Sequence, residues 1–262
     1  MTRFMTLCSS SGGNSVYVGT SSYGVLIDAG NSCKQLKLAL KNADIDPSSV
    51  KAIFVTHEHS DHVKGLRVLA SSLKVPVYAT GGTLSGLNGL GILDGSFSYQ
   101  KLLPGGVDVG DIHISGFRTS HDAKESCGYR IDLPGASVGI ATDTGKITDE
   151  IINALSGCGL VLLESNYDYD MLMTGIYPPQ LKARIRSDIG HLSNDDCAET
   201  VCSLLDLNVR RFVLGHLSRE NNRPEIAFSS ANGALRRMGA RQDRDYSLSV
   251  APVGPMDGYM VF

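Results

Sequence analysis

Three histidines and a carboxylate follow one apolar segment within a few residues. The segment is residues 52–55, and the chain then presents His57, His59, Asp61 and His62. A short apolar run of this kind predicts a buried strand, and imidazole nitrogens and carboxylate oxygens are ligands for zinc, manganese or iron. In a tight loop the first two histidines can bind one metal, while the last two residues reach a second. A polar loop with surface histidines is the weaker alternative.

The composition sets outer bounds on the kind of protein. The 262 residues are 42% hydrophobic, which suits one large domain or two tightly joined halves, and we predict a single domain over residues 1–262. No apolar run approaches the ~20 residues of a membrane span, and the N-terminus lacks an apolar signal core. The six cysteines form no C-x-x-C pair, so we expect reduced, buried thiols in a cytoplasmic protein.

Apolar strand patterns alternate with helical ones along the chain, which predicts an α/β protein with a mixed sheet after an antiparallel opening. The predicted strands cover residues 4–8, 16–18, 24–28, 52–55, 75–79, 97–102, 106–109, 112–117, 127–133, 136–141, 160–163, 210–214 and 247–250. The predicted helices cover residues 63–73, 147–155, 194–205 and 224–238, with helical pieces between 168 and 187. Residues 81–91 contain five glycines, so we expect them to be irregular or weakly helical.

Further metal-ligand residues stand at the ends of later strands. His121, Asp143 and His216 each follow an apolar run. A lone histidine there is usually a surface residue, and an aspartate before a helix is often its N-cap. Beside the His57 cluster, however, they complete two ligand sets. We predict one metal on His57, His59 and His121, a second on Asp61, His62 and His216, and Asp143 as the bridge between them.

Two metals about 3.5–4 Å apart can hold a hydroxide and polarise a scissile group. Because metal binding lowers the pKa of that water toward ~7, the predicted reaction is hydrolysis of an ester, amide or phosphodiester by attack of the metal-bound hydroxide. Zinc fits the histidines, manganese fits a nuclease, and iron is possible. Asp28 is either a turn carboxylate or a partner of the metal loop, and the sequence leaves both open.

The His-x-His-x-Asp-His pattern of residues 57–62 resembles the signature of the metallo-β-lactamase superfamily at every fixed position. This resemblance covers nearly the whole chain and implies an α/β (α+β) fold, the four-layer αβ/βα sandwich, with a dinuclear site at one edge. It does not choose among lactamases, thioesterases and nucleases. The chain has no Cys at the position where zinc β-lactamases commonly place one.

Glu164 and His191 resemble a pair found in the tRNA 3′-processing endonucleases (RNase Z), where a histidine follows a glutamate at a strand end. The resemblance implies a proton donor held by a carboxylate, so we predict that His191 and Glu164 are catalytic together with Asp61. The alternative is that the pair only braces the loops. Only 22 positions separate His121 from Asp143, too few for a tRNA-gripping arm, and no insertion matches the cap domain of the β-CASP nucleases.

Among compact members, the chain is most similar to the bacterial YycJ/WalJ group. The similarity lies in residues 9–14, 57–62, 120–123, 190–193 and 214–222. It implies 5′→3′ exonuclease activity on DNA, with a role in DNA repair. Within the last of these stretches we predict substrate contacts from Arg219, Asn221 and Asn222.

Charge is distributed unevenly between the two halves. The net charge is −3, but residues 180–244 carry eleven Lys/Arg against eight Asp/Glu, while residues 1–179 carry thirteen against seventeen. Candidate phosphate contacts are Lys182, Arg184, Arg186, Arg219 and Arg223, although a solvated face is the ordinary role of each. Tyrosines at 167, 169 and 177 can stack on bases or pack in the core, and both readings stay open.

The function that fits best is a dinuclear-metal phosphodiesterase acting on DNA, with nucleic acid as the partner and no membrane. The alternative is a small-molecule hydrolase, such as a glyoxalase II-like thioesterase or a cyclic-nucleotide phosphodiesterase. A non-catalytic protein that keeps a metal for stability is disfavoured, because a structural site needs neither an open position nor a proton donor.

Overall fold

The computed structural model describes residues 1–262, which divide into two compact units. The first unit comprises Met1–Gly116, Ala123–Ala136 and Pro252–Phe262, and the second comprises Phe117–Asp122 and Ser137–Ala251. This division does not decide whether residues 1–262 form the single domain that we predicted, and the single domain stays a prediction.

Fourteen strands belong to two seven-stranded sheets, and with the helices they confirm the predicted α/β class. The strands are β1 (Arg3–Ser10), β2 (Gly13–Gly19), β3 (Gly24–Ile27), β4 (Val50–Phe54), β5 (Val77–Ala79), β6 (Tyr99–Lys101), β7 (Val107–Val109), β8 (Ile112–Arg118), β9 (Cys127–Leu133), β10 (Ala136–Ala141), β11 (Leu160–Glu164), β12 (Arg211–Gly215), β13 (Ser247–Val250) and β14 (Met260–Val261).

Nine α-helices and one short 3₁₀ turn at Pro47–Ser49 complete the fold. The helices are α1 (Cys33–Asn42), α2 (Ser60–Val63), α3 (Leu66–Leu73), α4 (Gly81–Gly89), α5 (Asp149–Leu155), α6 (Tyr169–Thr174), α7 (Pro179–Ile185), α8 (Asn194–Asp206) and α9 (Pro224–Arg237). None of them is both long enough and apolar enough to cross a membrane.

In the first unit one sheet has the strand order β14-β1-β2-β3-β4-β5-β6. The opening strands are antiparallel, as predicted, and β3 to β6 run parallel. The core of this unit lies against the sheet and includes fully buried side chains such as Leu26, Leu40, Ile53 and Leu66. Helices α1 and α3, which follow β3 and β4 in the chain, contribute their apolar faces to this core.

In the second unit β10, β11, β12 and β13 are parallel neighbours. Strand β11 consists of buried residues along its whole length, as expected for a parallel strand covered on both faces. The core formed with α5, α8 and α9 includes Leu163, Val201, Leu214 and Leu235, all fully buried.

The starts of helices α8 and α9 have the residues that the sequence predicts for them. Ser193 caps α8, where its Oγ accepts from the Asp196 backbone N at 3.0 Å and donates to the Asp196 carboxylate at 2.6 Å. Pro224 opens α9, and Gly239 follows that helix with a φ of +86°. These contacts confirm the predicted starts of both helices.

One predicted helix, residues 63–73, has the wrong bounds. The structure has α2 at Ser60–Val63 and α3 at Leu66–Leu73, with Gly65 between them. A Cβ on Gly65 would lie 2.0 Å from the Asn31 carbonyl oxygen, so this position requires a glycine, which is the N-cap residue of α3. The glycine-rich residues 81–91 do form a helix, α4, which is capped by the Thr80 hydroxyl.

The six cysteines are all free thiols. Cys8, Cys127, Cys158 and Cys197 are buried, and burial raises the pKa of Cys8, Cys127 and Cys197 to about 12. Protonated thiols in apolar surroundings are poor nucleophiles and poor ligands, which agrees with the expected reduced, buried cysteines.

Candidate metal centre

The polar loops of the first unit leave the sheet at the ends of two parallel strands. Ile27 of β3 lies opposite Phe54 of β4, so the residues that follow each strand emerge side by side. Asp28 follows the first strand, and Thr56 and His57 follow the second. The sheet register therefore places a carboxylate directly beside the start of the His-rich loop.

Asp28 is buried and is bound on both of its oxygens. Its Oδ1 accepts from the Thr56 backbone N at 2.8 Å, and its Oδ2 accepts from the Thr56 hydroxyl at 2.8 Å. The same Oδ2 lies 2.8 Å from Nδ1 of His62. Of the two roles left open by the sequence, Asp28 therefore has that of partner to the His-rich loop.

These bonds fix which imidazole nitrogen carries the proton. His62 donates from Nδ1 to Asp28, which leaves its Nε2 unprotonated. The Thr56 hydroxyl gives its single proton to Asp28, so it accepts from Nδ1 of His57 at 3.0 Å. In both imidazoles Nε2 is thus the unprotonated nitrogen, the one that a metal binds when a carboxylate or hydroxyl holds the other.

The remaining predicted ligands of this unit lie in the same cluster. Nε2 of His62 is 3.4 Å from Asp61 Oδ2, and the His57 ring centroid lies 4.6 Å from that of His59 and 4.1 Å from that of His62. The donor set is three imidazoles and a carboxylate, with one imidazole held by a second, buried carboxylate. This chemistry fits a divalent cation.

Burial is the largest influence on the pKa of Asp28 and raises it, and His62 and Thr56 offset only part of the rise. A carboxylate in this position gains from added positive charge nearby. A divalent cation on the far nitrogen of His62 would supply that charge, so the surroundings of Asp28 also fit a metal.

Asn14 is a neighbour of the cluster that sequence analysis missed. Its Nδ2 lies 3.0 Å from Nε2 of His62 and 3.3 Å from Asp61 Oδ2. Asn14 and Asp61 both lie against Gly30, where a side chain would not fit. A Cβ on Gly30 would lie 1.7 Å from the Asp61 carbonyl oxygen and 2.4 Å from the Asn14 backbone N. From the sequence, Asn14 is only part of a Ser/Gly-rich stretch that predicts a turn. Such a pattern predicts the local backbone but not which distant residues the turn contacts.

The second unit has its own cluster at the ends of β10, β11 and β12. Leu163 of β11 pairs with Ala141 of β10 and with Leu214 of β12. Because the strands are parallel, Asp143, Glu164 and His216 reach the same edge of the sheet. His191 joins them from the loop before α8, and ligand atoms of all four residues lie within 4.8 Å of one another.

Glu164 is fully buried and holds two imidazoles with a single oxygen. Its Oε1 accepts from Nδ1 of His191 and from Nδ1 of His216, both at 2.8 Å. Its Oε2 accepts from the Thr144 backbone N at 2.8 Å. Burial raises the pKa of the Glu164 carboxyl, but the two imidazoles outweigh burial and the net direction is downward. The sequence paired Glu164 with His191 and missed that His216 shares it.

His121 is held in the same way by a backbone carbonyl. Its Nδ1 donates to the Gly190 carbonyl oxygen at 2.9 Å, and its Nε2 lies 3.7 Å from Asp143 Oδ1. His216 Nε2 lies 3.5 Å from the same oxygen. Burial lowers the pKa of His121 and outweighs the opposing effect of Asp143, which favours the neutral imidazole that a metal requires.

Three of these strand-end residues adopt the left-handed backbone region. Asp28 has a φ of +64°, Asp143 of +58° and His216 of +56°. Such conformations cost of order 1–3 kcal/mol each and persist only where the surroundings enforce them. At all three positions the chain turns sharply as a strand delivers a polar side chain to one of the two clusters.

The structure gives the three predicted substrate contacts different environments. Arg219 is exposed, whereas Asn221 and Asn222 are buried. The Asn222 side chain donates to the carbonyl oxygens of Ser165 and Asn166 at 2.8 and 3.0 Å. These bonds give Asn222 a bracing position behind the loop that follows Glu164, and direct substrate contact by the three residues stays a prediction.

A protein-family model described as "Beta-lactamase superfamily domain" matches residues 23–217. The chain is also 38% identical over 240 residues to "Exodeoxyribonuclease YycJ" of Bacillus anthracis, covering 90% of both chains. It is 38% identical over 228 residues to "Exodeoxyribonuclease WalJ" of Streptococcus pneumoniae, covering 86% of this chain and 85% of that protein.

The chain belongs to the β-lactamase superfamily. The predicted membership of this superfamily is thereby confirmed, and the chain is an enzyme of a hydrolase family. The predicted similarity to the YycJ/WalJ proteins is confirmed as well.

Solved structures of the superfamily show the same fold. The metallo-β-lactamase fold protein YhfI of Bacillus subtilis superposes with a TM-score of 0.74 at 14% identity, covering 97% of each chain. Human tRNase Z, short form, gives a TM-score of 0.62 at 16% identity over 84% of this chain and 93% of that one. The predicted metallo-β-lactamase fold is therefore confirmed, and the fold also relates the chain to RNase Z.

Replacing Asp28 by Asn is expected to weaken divalent-metal binding roughly 10- to 100-fold. Asn tolerates the left-handed backbone, but its neutral amide no longer holds the His62 Nδ1 proton with a charge. The measurement is competition for zinc with a chromophoric chelator. Asp46→Asn is the control, because Asp46 is an exposed carboxylate in the same unit. Equal zinc affinity for the two variants would contradict the role given to Asp28.

Replacing Asn222 by Ala is expected to lower the free energy of unfolding by about 1–3 kcal/mol, because buried carbonyl groups lose their donor. Urea denaturation measures this, and Asn153→Ala on the exposed face of α5 is the control. Unchanged stability together with a raised KM would instead support direct substrate contact by Asn222.

Proposed function

We propose that this enzyme is a metal-dependent nuclease that degrades DNA as a 5′→3′ exonuclease. The observation that carries the proposal is the 38% identity to YycJ, named an exodeoxyribonuclease, over 90% of both chains. We further propose that it acts in the cytoplasm and in DNA repair. Six free cysteines support the cytoplasm, where thiols stay reduced.

We propose that two divalent ions serve the reaction. His57, His59 and His121 would hold one, Asp61, His62 and His216 the other, and Asp143 would contact both. The support is the superfamily signature, together with the hydrogen bonds that hold Nδ1 of His57, His62 and His216 and so orient each ring. Zinc suits the histidine-rich donors, and manganese suits nuclease chemistry. When bound, such ions provide a nucleophilic water at neutral pH and neutralise charge on the phosphodiester.

In this proposal His191 donates the proton that the leaving oxygen needs when the P–O bond breaks. The geometry supports the role, because Nδ1 of His191 is held by Glu164 at 2.8 Å and Nε2 points away from that carboxylate. The His191 side chain keeps 17% of its surface exposed, whereas Glu164 has none. A substrate can therefore reach the imidazole while the carboxylate that orients it stays shielded from water.

His191→Ala is expected to retain its metal content while turnover falls by about 100-fold or more, the range for loss of a positioned acid. Metal content is measured by elemental analysis, and turnover on a DNA duplex. His113→Ala is the control, since that imidazole is exposed and pairs only with the surface residue Asp108. Loss of metal in His191→Ala would make this residue a ligand.

The substrate class is tested with metal-reconstituted enzyme on three substrates: a duplex labelled at the 5′ end, bis-p-nitrophenyl phosphate and a thioester. We expect cleavage of both phosphodiesters and none of the thioester. Phosphorothioate blocks at either end test the polarity, and a 5′ block should stop digestion while a 3′ block should not. Cleavage of the thioester alone would favour the small-molecule hydrolase.

A further inference from the structure

A group of large apolar side chains is exposed on the segment that precedes His191. Tyr169 is 46% exposed, Met173 41%, Ile176 88% and Ile189 50%. All four lie on or beside helices α6 and α7 of the second unit. We call them, with Lys182 and Arg186, the 169–189 surface.

None of these four side chains belongs to the small apolar core of the segment. Helices α6 and α7 close over a small separate core of Tyr167, Leu172 and Ile185, against which Tyr177 and Leu181 pack. This settles the roles of the three tyrosines that the sequence left open. Tyr167 is buried and Tyr177 is partly buried against the same core, whereas Tyr169 is 46% exposed.

Cationic groups lie directly beside the exposed apolar ones. The Arg186 guanidinium lies over the Tyr169 ring, 4.9 Å from its centroid, and Nη1 of Arg186 is 3.4 Å from Met173 Sδ. Lys182 Nζ donates to the carbonyl oxygens of Met173 and Gly175, both at 2.7 Å. An aromatic ring beside fixed cations is a feature that binds the bases and phosphates of a single strand, and the exposed aliphatic side chains extend the apolar surface around it.

The segment is tied to the catalytic cluster at both ends. Gly190, at its C-terminal end, accepts the His121 Nδ1 hydrogen bond. Arg184 Nε pairs with the Asp122 carboxylate at 2.5 Å, one residue after His121. At its N-terminal end, the Asp168 backbone N donates to the Asn221 carbonyl oxygen at 2.8 Å. The 169–189 surface is thus continuous with the loops that carry His121 and His191.

We propose that the 169–189 surface binds the DNA strand next to the scissile phosphodiester. Tyr169 and Ile176 pack on the faces of unpaired bases, and Lys182 and Arg186 neutralise the adjoining phosphates. This inference rests on the proposed nuclease function, and it identifies the surface that binds the DNA strand. The cations Lys182 and Arg186 and the continuity with His191 favour a nucleic-acid strand over a second copy of the chain as the occupant. Two exposed carboxylates, Asp170 and Asp188, lie on the same segment, and Asp188 is paired with Lys146.

The test uses full-length, metal-loaded enzyme and two variants, Tyr169→Ser and Ile176→Ser. Each is expected to raise KM for a 5′-phosphorylated DNA strand about fivefold or more, the lower range for loss of one base-stacking side chain. Turnover of bis-p-nitrophenyl phosphate, which has no bases, should stay within about twofold. Leu90→Ser is the matched control, because Leu90 is 59% exposed in the first unit, and it should leave both substrates unaffected.

The phosphate contact has a separate readout. Arg186→Gln should reduce the slope of log KM against log salt concentration by about one, as expected for the loss of one phosphate contact. An unchanged slope would remove Arg186 from the binding surface.

The outcomes separate this inference from the function on which it rests. If the wild-type enzyme does not degrade DNA, the proposed function fails. If it does and both serine variants match Leu90→Ser, the 169–189 surface is not the binding site while the nuclease stands. Sedimentation velocity adds a further check, because a wild-type dimer that Ile176→Ser converts to a monomer would overturn the proposal in favour of a contact between copies.

Discussion

The hydrogen bond between a buried carboxylate and an imidazole Nδ1 is the interaction on which both polar clusters depend. In the first unit Asp28 holds His62, and in the second Glu164 holds His191 and His216, each at 2.8 Å. A buried carboxylate without such partners would carry a desolvation cost of several kcal/mol. The carboxylate and the imidazoles therefore stabilise one another, and the outward nitrogens are oriented as a consequence.

Parallel strands supply the positions that make these pairs possible. Side chains 34 and 52 residues apart in the chain meet because adjacent strands end at the same edge of the sheet. The left-handed backbone of Asp28, Asp143 and His216 turns the chain sharply as it leaves each strand. Its cost is tolerable only where the hydrogen bonds of the cluster hold the residue in place.

The sequence was informative where chemistry is encoded locally. The order His57, His59, Asp61, His62 after an apolar strand and the caps of α8 and α9 were visible without coordinates. The pair Glu164 and His191 came only from the resemblance to RNase Z. Contacts set by tertiary register were not visible. Thr56 directs the His57 proton, and Asn14 approaches His62 from a distant turn. No local pattern distinguishes Asn222 as a brace from Asn222 as a substrate contact, because the difference is only its burial.

The two buried carboxylates differ in a way that suits different tasks. Asp28 has one imidazole partner, and burial keeps its pKa above the ordinary value. Glu164 has two imidazoles and the Thr144 amide, and its pKa falls below the ordinary value. An ionised Glu164 stabilises positive charge on His191 without further help, as a proton donor requires. Asp28 gains most when a cation is added beyond His62, which suits a metal site, whereas the surroundings of Glu164 suit the proton transfer proposed for His191.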